Sequence, residues 1–145
     1  MTGMDLYWIW LSTVKGVGPV AQKKLLSVYQ TPEQIYQADR EELIEQTGLR
    51  ASAINSLMES RSLEQAEIIL DSLNGHDIRL LTIDDPLYPS EASVFSTSPA
   101  LLYYCGTLKE NSMGVTIIGS RRCTNYGKQV TSEAAAYLAE QGIPV

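Results

Sequence analysis

The sequence predicts an α + α/β fold, with a small helical domain at residues 1–75 and, at residues 76–145, the front part of a doubly wound α/β sheet. Up to residue 75, apolar side chains recur at the three- and four-residue spacing of amphipathic helices. Beyond it, short β-branched and aromatic runs alternate with prolines and glycines, as strands alternate with their turns. A doubly wound sheet needs more strands than this stretch supplies, so we expect only its first part.

The composition narrows the class of protein. The chain has 145 residues and 44% hydrophobic content, which is typical of a globular protein. No apolar run resembles a membrane span or a signal peptide, so we expect a cytoplasmic protein without membrane contact. Cys105 and Cys123 share no metal-ligand spacing, and the single histidine, His76, follows a helix stop. We therefore expect reduced thiols, no metal and no cofactor.

The net charge of −6 is unevenly distributed. Residues 31–77 contain ten acidic residues and three arginines, which gives −7 and leaves +1 for the rest of the chain. Six of the eight bases outside this acidic segment form two groups, Lys15, Lys23 and Lys24 near the start and Arg121, Arg122 and Lys128 further on. Because the acidity is local, the net charge does not exclude a nucleic acid as a partner.

Two predicted helices flank a glycine hairpin near the start of the chain. Residues 5–13 have helical apolar spacing, KGVGP at residues 15–19 interrupts it, and the spacing then resumes up to residue 31. This arrangement resembles the helix-hairpin-helix motif of DNA-binding proteins, whose glycines let backbone N–H groups meet a phosphate. A secondary DNA contact would then involve Gly16, Gly18, Lys23 and Lys24. The alternative is a small helical bundle with no such role.

Capping residues predict three further helices. Thr31, Asp39 and Ser62 are each followed three residues later by Gln or Glu, which is the spacing of a capping box. Gly48 is expected to end the second of these helices. The Asn-Gly pair at residues 74–75 is expected to end the third.

The hairpin unit is repeated at an offset of 32 residues, because Gly48 falls on Gly16. The same offset pairs two further apolar positions, Ala21 with Ala53 and Leu25 with Leu57. Arg50 stands where Gly18 stands in the first copy, and its side chain would obstruct a close backbone approach. We therefore interpret the second unit as structural support.

Four strands are predicted after residue 76, at residues 79–83, 100–106 and 115–118 and beginning at 143–145. The third is a β-branched run that ends in Gly-Ser, as a buried strand does when it delivers a turn to the top of a sheet. A helix follows from Thr124 or Asn125 to about Gln141, and Gly142 ends it.

The loop between the third strand and this helix is the principal candidate site. Strand, tight loop and helix in this order bring backbone N–H groups and the positive end of a helix dipole to one point. The adjacent guanidinium groups favour phosphate as the anion. The candidate DNA- or phosphate-binding residues are Gly119, Ser120, Arg121, Arg122 and Lys128. In the alternative interpretation, the two arginines are only solvated loop residues.

Three segments carry a resemblance to a known family. They are DPLYP at residues 85–89, PALLY at 99–103 with Gly106, and IIGSR at 117–121 followed by Tyr126 and Gly127. Together with the helical first half, they resemble the DprA (Smf) family of DNA-processing proteins along nearly the whole chain. The residues after DPLYP, Ser-Glu-Ala-Ser, lack the leucine that the family pattern would place there.

The resemblance implies a SAM-like helical domain with hairpin units, followed by a Rossmann-like domain. It implies single-stranded DNA binding, protection of incoming DNA during natural transformation, handover to RecA, a homodimer of the full-length protein, and no catalytic residue. By match to the family's GSR motif, Arg121 would contact the DNA backbone beside the amides of Gly119 and Ser120. A second basic contact, the dimer and RecA surfaces and any winged helix would lie beyond Val145.

Two other functions compete with this one. The first is a nucleotide-binding Rossmann-like enzyme, such as a phosphoribohydrolase, which needs an acid close to the sugar. The nearest acid to the loop is Glu133, about two turns into the following helix. The second is a duplex-binding repair accessory that acts through the N-terminal hairpin. Competition between single-stranded and duplex DNA would separate that function from single-strand binding.

Overall fold

The computed structural model of the chain describes residues 3–108 and 114–145. The chain divides into two compact units, Met1–Leu108 and Lys109–Val145, called unit 1 and unit 2 here. The predicted domain boundary near residue 76 is a statement about independent folding, and it stays a prediction.

Unit 1 begins with six helices, and most of the predicted caps form. The helices are α1 (Gly3–Thr13), α2 (Pro19–Tyr29), α3 (Pro32–Gln37), α4 (Arg40–Thr47), α5 (Ala51–Glu59) and α6 (Glu64–Asn74). Thr31 Oγ1 accepts from the Gln34 N–H at 3.3 Å and Asp39 Oδ1 from the Glu42 N–H at 2.8 Å, which confirms both caps. The capping box predicted at Ser62 is wrong. Because the N-cap of α6 is Leu63, the Ser62 hydroxyl instead accepts from the N–H of Glu64.

The predicted 32-residue repeat is confirmed in the backbone. Helices α2 and α5 begin 32 residues apart, and the turns before them contain Gly16 at φ +81° and Gly48 at φ +57°. A Cβ added to Gly16 would lie 3.7 Å from Oγ of Ser56, and one added to Gly48 would lie 3.7 Å from Nζ of Lys24. Residues 24 and 56 are related by the same offset. The turn at Gly16 therefore lies against α5, and the turn at Gly48 lies against α2, as in an approximate twofold arrangement.

The helices share one apolar core. Its most deeply buried side chains include Ile9, Leu25, Ile35, Leu43 and Ile54, each fully shielded from solvent. Such burial is the dominant favourable term in folding. Helix α1 is central, because it packs against both α3 and α6.

A buried glutamine fixes the first hairpin. The side chain of Gln22 is only 6% exposed. Its Nε2 donates to the carbonyl of Leu11 at 3.1 Å and to that of Val17 at 3.0 Å. This amide therefore joins the end of α1 to the turn before α2, and both of its N–H donors are satisfied inside the fold.

Two strands complete unit 1, as predicted. They are β1 (Arg79–Thr82) and β2 (Leu101–Tyr104), with the short helix α7 (Ser90–Ser93) between them. They pair antiparallel with Leu81 opposite Leu102, and the buried Leu101 packs into the helical core. The Tyr88 hydroxyl donates to the carbonyl of Pro99 at 2.7 Å. The DPLYP and PALLY segments are therefore bonded to each other next to the sheet.

Unit 2 contains one long helix, α8 (Asn125–Glu140). The strands predicted at 115–118 and 143–145 are wrong for the described residues. One hydrogen bond, from the Val115 N–H to the Pro144 carbonyl at 2.9 Å, joins the two segments, and a strand needs a continued ladder. Ile118, predicted in a buried strand, is 88% exposed. The doubly wound sheet, which would require parallel strands, stays a prediction.

Candidate nucleic-acid interface

The N-terminus of α8 is set by a side-chain cap. Thr124 is the N-cap, and its Oγ1 accepts from the N–H of Gly127 at 3.1 Å. Of the two predicted caps, Thr124 and Asn125, the structure therefore selects Thr124. At its C-terminus α8 reaches Glu140, and Gly142 takes φ +72° just beyond it. The predicted helix and its stop are confirmed.

The segment that leads into α8, residues 119–124 with the cap Thr124 as its last residue, is called the arginine loop here. Inside it, the Arg122 N–H donates to Oγ of Ser120 at 3.3 Å, so the serine hydroxyl supports the turn. A Cβ built on Gly119 would meet no atom within 4 Å. The space beside the backbone at Gly119 is therefore open.

Within residues 114–145, no acid pairs with the cations of the arginine loop or with Lys128. Arg121, Arg122 and Lys128 are exposed, and within residues 114–145 none of them forms an ion pair. The first acid that follows the loop in sequence, Glu133, accepts a hydrogen bond from Nε2 of Gln129 at 2.8 Å on the exposed surface of α8. Three cationic groups thus lie within eight residues of each other at the positive end of a 16-residue helix. This arrangement favours an anion with several oxygens, such as a phosphate.

One residue of this surface was not assigned a contact from the sequence. Tyr126, in the first turn of α8, is 76% exposed beside the arginine loop. An exposed aromatic ring next to cations offers a stacking surface for a base. No spacing marked it for such a role, because Tyr126 continues the four-residue series of Val130, Ala134 and Leu138.

The four residues of the secondary candidate site lie in unit 1, with the two glycines in the first hairpin and the two lysines in α2. Gly18 is the N-cap of α2 at φ −79°, and a Cβ there would meet no atom within 4 Å. Gly16 is held at φ +81°. The two glycines therefore differ: Gly16 is required by the backbone conformation, whereas Gly18 leaves open space.

Lys23 and Lys24 have different surroundings. The Lys23 ammonium donates to the carbonyls of Ser93, at 2.9 Å, and of Phe95. Two of its three N–H donors are therefore used to hold the segment after α7. Lys24 is exposed and lies near Gly48 of the second hairpin.

The remaining polar candidates do not form a second site. His76 is exposed, and its Nδ1 lies 2.7 Å from the carbonyl of Ser72. Cys105 and Cys123 are both exposed free thiols. In residues 3–108 and 114–145 no cluster of three His, Cys, Asp or Glu side chains has the arrangement of a metal site. No helix in these same ranges combines the length and the apolar character needed to cross a membrane.

Comparison with known proteins shows which family the chain is similar to. Residues 79–145 match the family model described as DNA recombination-mediator protein A. The chain is 30% identical to Protein Smf of Synechocystis sp. (strain ATCC 27184 / PCC 6803 / Kazusa) over 144 residues, which cover 96% of this chain and 36% of that protein. The chain therefore spans about a third of the length of this relative. No solved structure matches it significantly. The family match contains the arginine loop, and the similarity to Smf extends over the helical half as well, so the resemblance of the chain to the DprA/Smf family is confirmed.

Proposed function

We propose that this chain binds single-stranded DNA, with the arginine loop as the phosphate contact. The observation that carries the proposal is the absence of any acid paired with Arg121, Arg122 or Lys128 within the described part of unit 2. These three cations lie at a helix N-terminus beside open backbone, and the phosphates of DNA would supply the negative charge that neutralises them. The family description, a DNA recombination mediator, supports the same substrate.

In this proposal each residue has a distinct role. The guanidinium of Arg121 binds a phosphate, with the N–H groups of Gly119 and Ser120 beside it. Arg122 and Lys128 add positive charge along the strand. The ring of Tyr126 stacks on a base, which is tolerant of sequence because every base has a π face.

The proposed cellular role concerns the full-length protein and follows from the similarity to the DprA/Smf family. As a homodimer, that protein protects incoming single-stranded DNA in the cytoplasm during natural transformation and delivers the DNA to RecA. The arginine loop is then part of a Rossmann-like DNA-binding domain, and the helical region is the SAM-like domain. No catalytic residue is assigned, since phosphate contacts position DNA without chemistry.

The first hairpin supplies the secondary contact. The open space at Gly18 suits a close approach of a phosphate to the backbone. Lys24 is exposed on the same helix, α2, and would add positive charge from its position near Gly48. Lys23 contributes less, because two of its donors are bonded within unit 1. The nucleotide-binding enzyme is disfavoured, because Glu133 is exposed on α8 and bonded to Gln129.

The test is the salt dependence of binding by the Arg121→Ala variant of the full-length protein. Loss of one phosphate contact should weaken binding to all base compositions by a similar factor, because the contact carries no sequence information. It should also flatten the slope of log K against log salt by roughly 0.7. Arg122→Ala is the neighbouring control, with a smaller effect expected. Unchanged affinity and slope in a folded Arg121→Ala protein would refute the phosphate role.

A further inference from the structure

A polar cleft in unit 1 lies far along the sequence from the arginine loop and has no role in the proposed DNA contact. It is formed where the end of α2 meets α3 and α4, and its volume is about 450 Å³. The polar side chains that line it are Tyr29, Gln30, Gln34, Gln37, Glu42 and Gln46. We call it the glutamine cleft. It is an open trough, which suits an extended chain better than a small enclosed molecule.

Tyr29, one of the residues that line the cleft, has a buried hydroxyl without a partner among the described residues. Tyr29 is only 8% exposed, and its phenolic oxygen has no hydrogen-bond partner within the described chain. Burial raises the pKa of Tyr29, and the negative charges of Glu42 and Asp39 raise it further. The group is therefore a neutral phenol with an unused donor. A buried polar group without a partner is costly, so a ligand that supplied an acceptor here would gain from it.

The glutamines offer both donors and acceptors. Within the described chain the side chains of Gln30, Gln34 and Gln46 make no hydrogen bond, while Gln37 donates to Glu33 and keeps its carbonyl oxygen free. Primary amides can pair with the N–H and C=O groups of another main chain. Gln30 is also held at φ +64°, a conformation that non-glycine residues rarely adopt.

The charge of this surface selects among ligands. Residues 31–47 contain five acidic residues and one arginine, a formal charge of −4. Repulsion by these carboxylates disfavours DNA, whose phosphates carry the same sign. A ligand with lysine or arginine side chains would be attracted, with Glu42 as the acid on the cleft wall.

We propose that the glutamine cleft binds an extended, basic peptide segment of a partner protein. The Tyr29 hydroxyl donates to a main-chain carbonyl of that segment, the glutamine amides pair with its neighbouring peptide groups, and Glu42 faces a lysine or arginine side chain. Unit 1 would thus receive a protein partner at a surface separate from the residues assigned to DNA.

The test uses NMR spectroscopy of the whole 145-residue chain. The probe is a pool of capped heptapeptides with lysine at three alternate positions and mixed residues elsewhere. A matched pool has glutamate at the three fixed positions. The lysine pool should shift the side-chain amide signals of Gln30, Gln34, Gln37 and Gln46, and the glutamate pool should leave them in place. Equal shifts with both pools, no shift with either, or the same shifts with an oligothymidine would overturn the proposal.

Two variants separate binding from folding. Tyr29→Phe removes only the hydroxyl, so binding of the lysine pool should weaken roughly tenfold while the melting temperature stays constant or rises. Glu42→Gln should weaken binding, whereas Glu41→Gln, on the same helix but outside the cleft lining, should not. Unchanged binding by both Tyr29→Phe and Glu42→Gln would refute the site even if either protein were less stable.

Discussion

The two units of the chain are built on similar local signals but differ in what those signals achieve. In unit 1, capped amphipathic helices pack around side chains that are fully buried, including Ile9 and Leu25. In unit 2, α8 has an N-cap and a glycine stop of the same kind, yet no side chain of α8 is buried. Caps and periodicity therefore specify a helix, whereas only the packing partners specify a core.

This difference separates stability from the proposed function. The buried apolar area, which dominates folding stability, lies in unit 1 among the described residues. The arginine loop lies in unit 2, where its hydrogen bonds are those of a turn at Ser120 and a helix cap at Thr124. A site of that kind can be altered at low cost to the fold, which makes its substitutions clean tests of binding.

The contrast between unit 1 and unit 2 predicts that the largest difference in folding will be seen between isolated fragments of the chain. Residues 1–108 should unfold in one cooperative transition. Residues 1–75 should also fold, but with lower stability, because Ala100 and Leu101 belong to the same core cluster. Residues 109–145 should show only weak helicity, since a single 16-residue helix is marginal in water. Thermal melts followed by circular dichroism would measure this, and a cooperative melt of monomeric 109–145 would contradict it.

The next largest effect is the loss of unfolding free energy when a single apolar side chain is shortened in each unit. Leu25→Ala should lower the free energy of unfolding of the chain by about 2–5 kcal/mol, because Leu25 is fully buried. Val130→Ala, on α8 at 44% exposure, should change it by less than about 0.5 kcal/mol. Urea titrations of both variants would measure the two values. Similar losses would mean that α8 belongs to the same cooperative core and would erase the distinction between the units.

Prediction from sequence succeeded where the cause is local. Thr31 and Asp39 cap their helices through their own side chains, so residues three positions apart were enough to locate them. For the helix after the arginine loop the sequence left Thr124 and Asn125 as alternatives, and the structure selects Thr124. The repeat was visible because Gly16 and Gly48 both need a positive φ.

Prediction failed where partners distant in the chain decide. The apolar run at residues 115–118 has the composition of a buried strand, but a strand exists only when a neighbour completes its ladder, and here one hydrogen bond reaches Pro144. The occupation of Lys23 by the carbonyls of Ser93 and Phe95, 70 and 72 residues away, was equally invisible. Likewise, the glutamine cleft has no spacing that distinguishes it from an ordinary polar surface.

The two hairpin glycines sharpen the comparison within unit 1. Gly16→Ala places a Cβ at φ +81° and should destabilise the chain by about 1–2 kcal/mol. Gly18→Ala, at φ −79° with open space around it, should cost less than about 0.5 kcal/mol.

The same pair distinguishes folding from binding. If Gly18 is open for a phosphate, Gly18→Ala should weaken DNA binding by the full-length protein although its melting temperature hardly changes. Full affinity in the Gly18→Ala protein would remove the hairpin from the proposed DNA surface and leave it as structural support.

The smallest expected effect is a loss of stability at alkaline pH, which arises in unit 1. Burial raises the pKa of both Tyr29 and Tyr88, and Glu42 and Asp39 add to the shift at Tyr29. In the unfolded chain these phenols ionise near pH 10, before they ionise in the folded protein. The contribution of these phenols to stability is therefore complete below about pH 10 and is lost as the pH rises through the folded-state pKa values.

Because other groups also titrate in this pH range, the informative quantity is the difference in unfolding free energy between the chain and Tyr29→Phe, measured from pH 8 to 11. That difference should be constant up to about pH 10 and then move in favour of Tyr29→Phe, which has no phenol to ionise. A pH-independent difference would show that the Tyr29 hydroxyl is solvated, and it would also remove the unpaired donor on which the glutamine cleft depends.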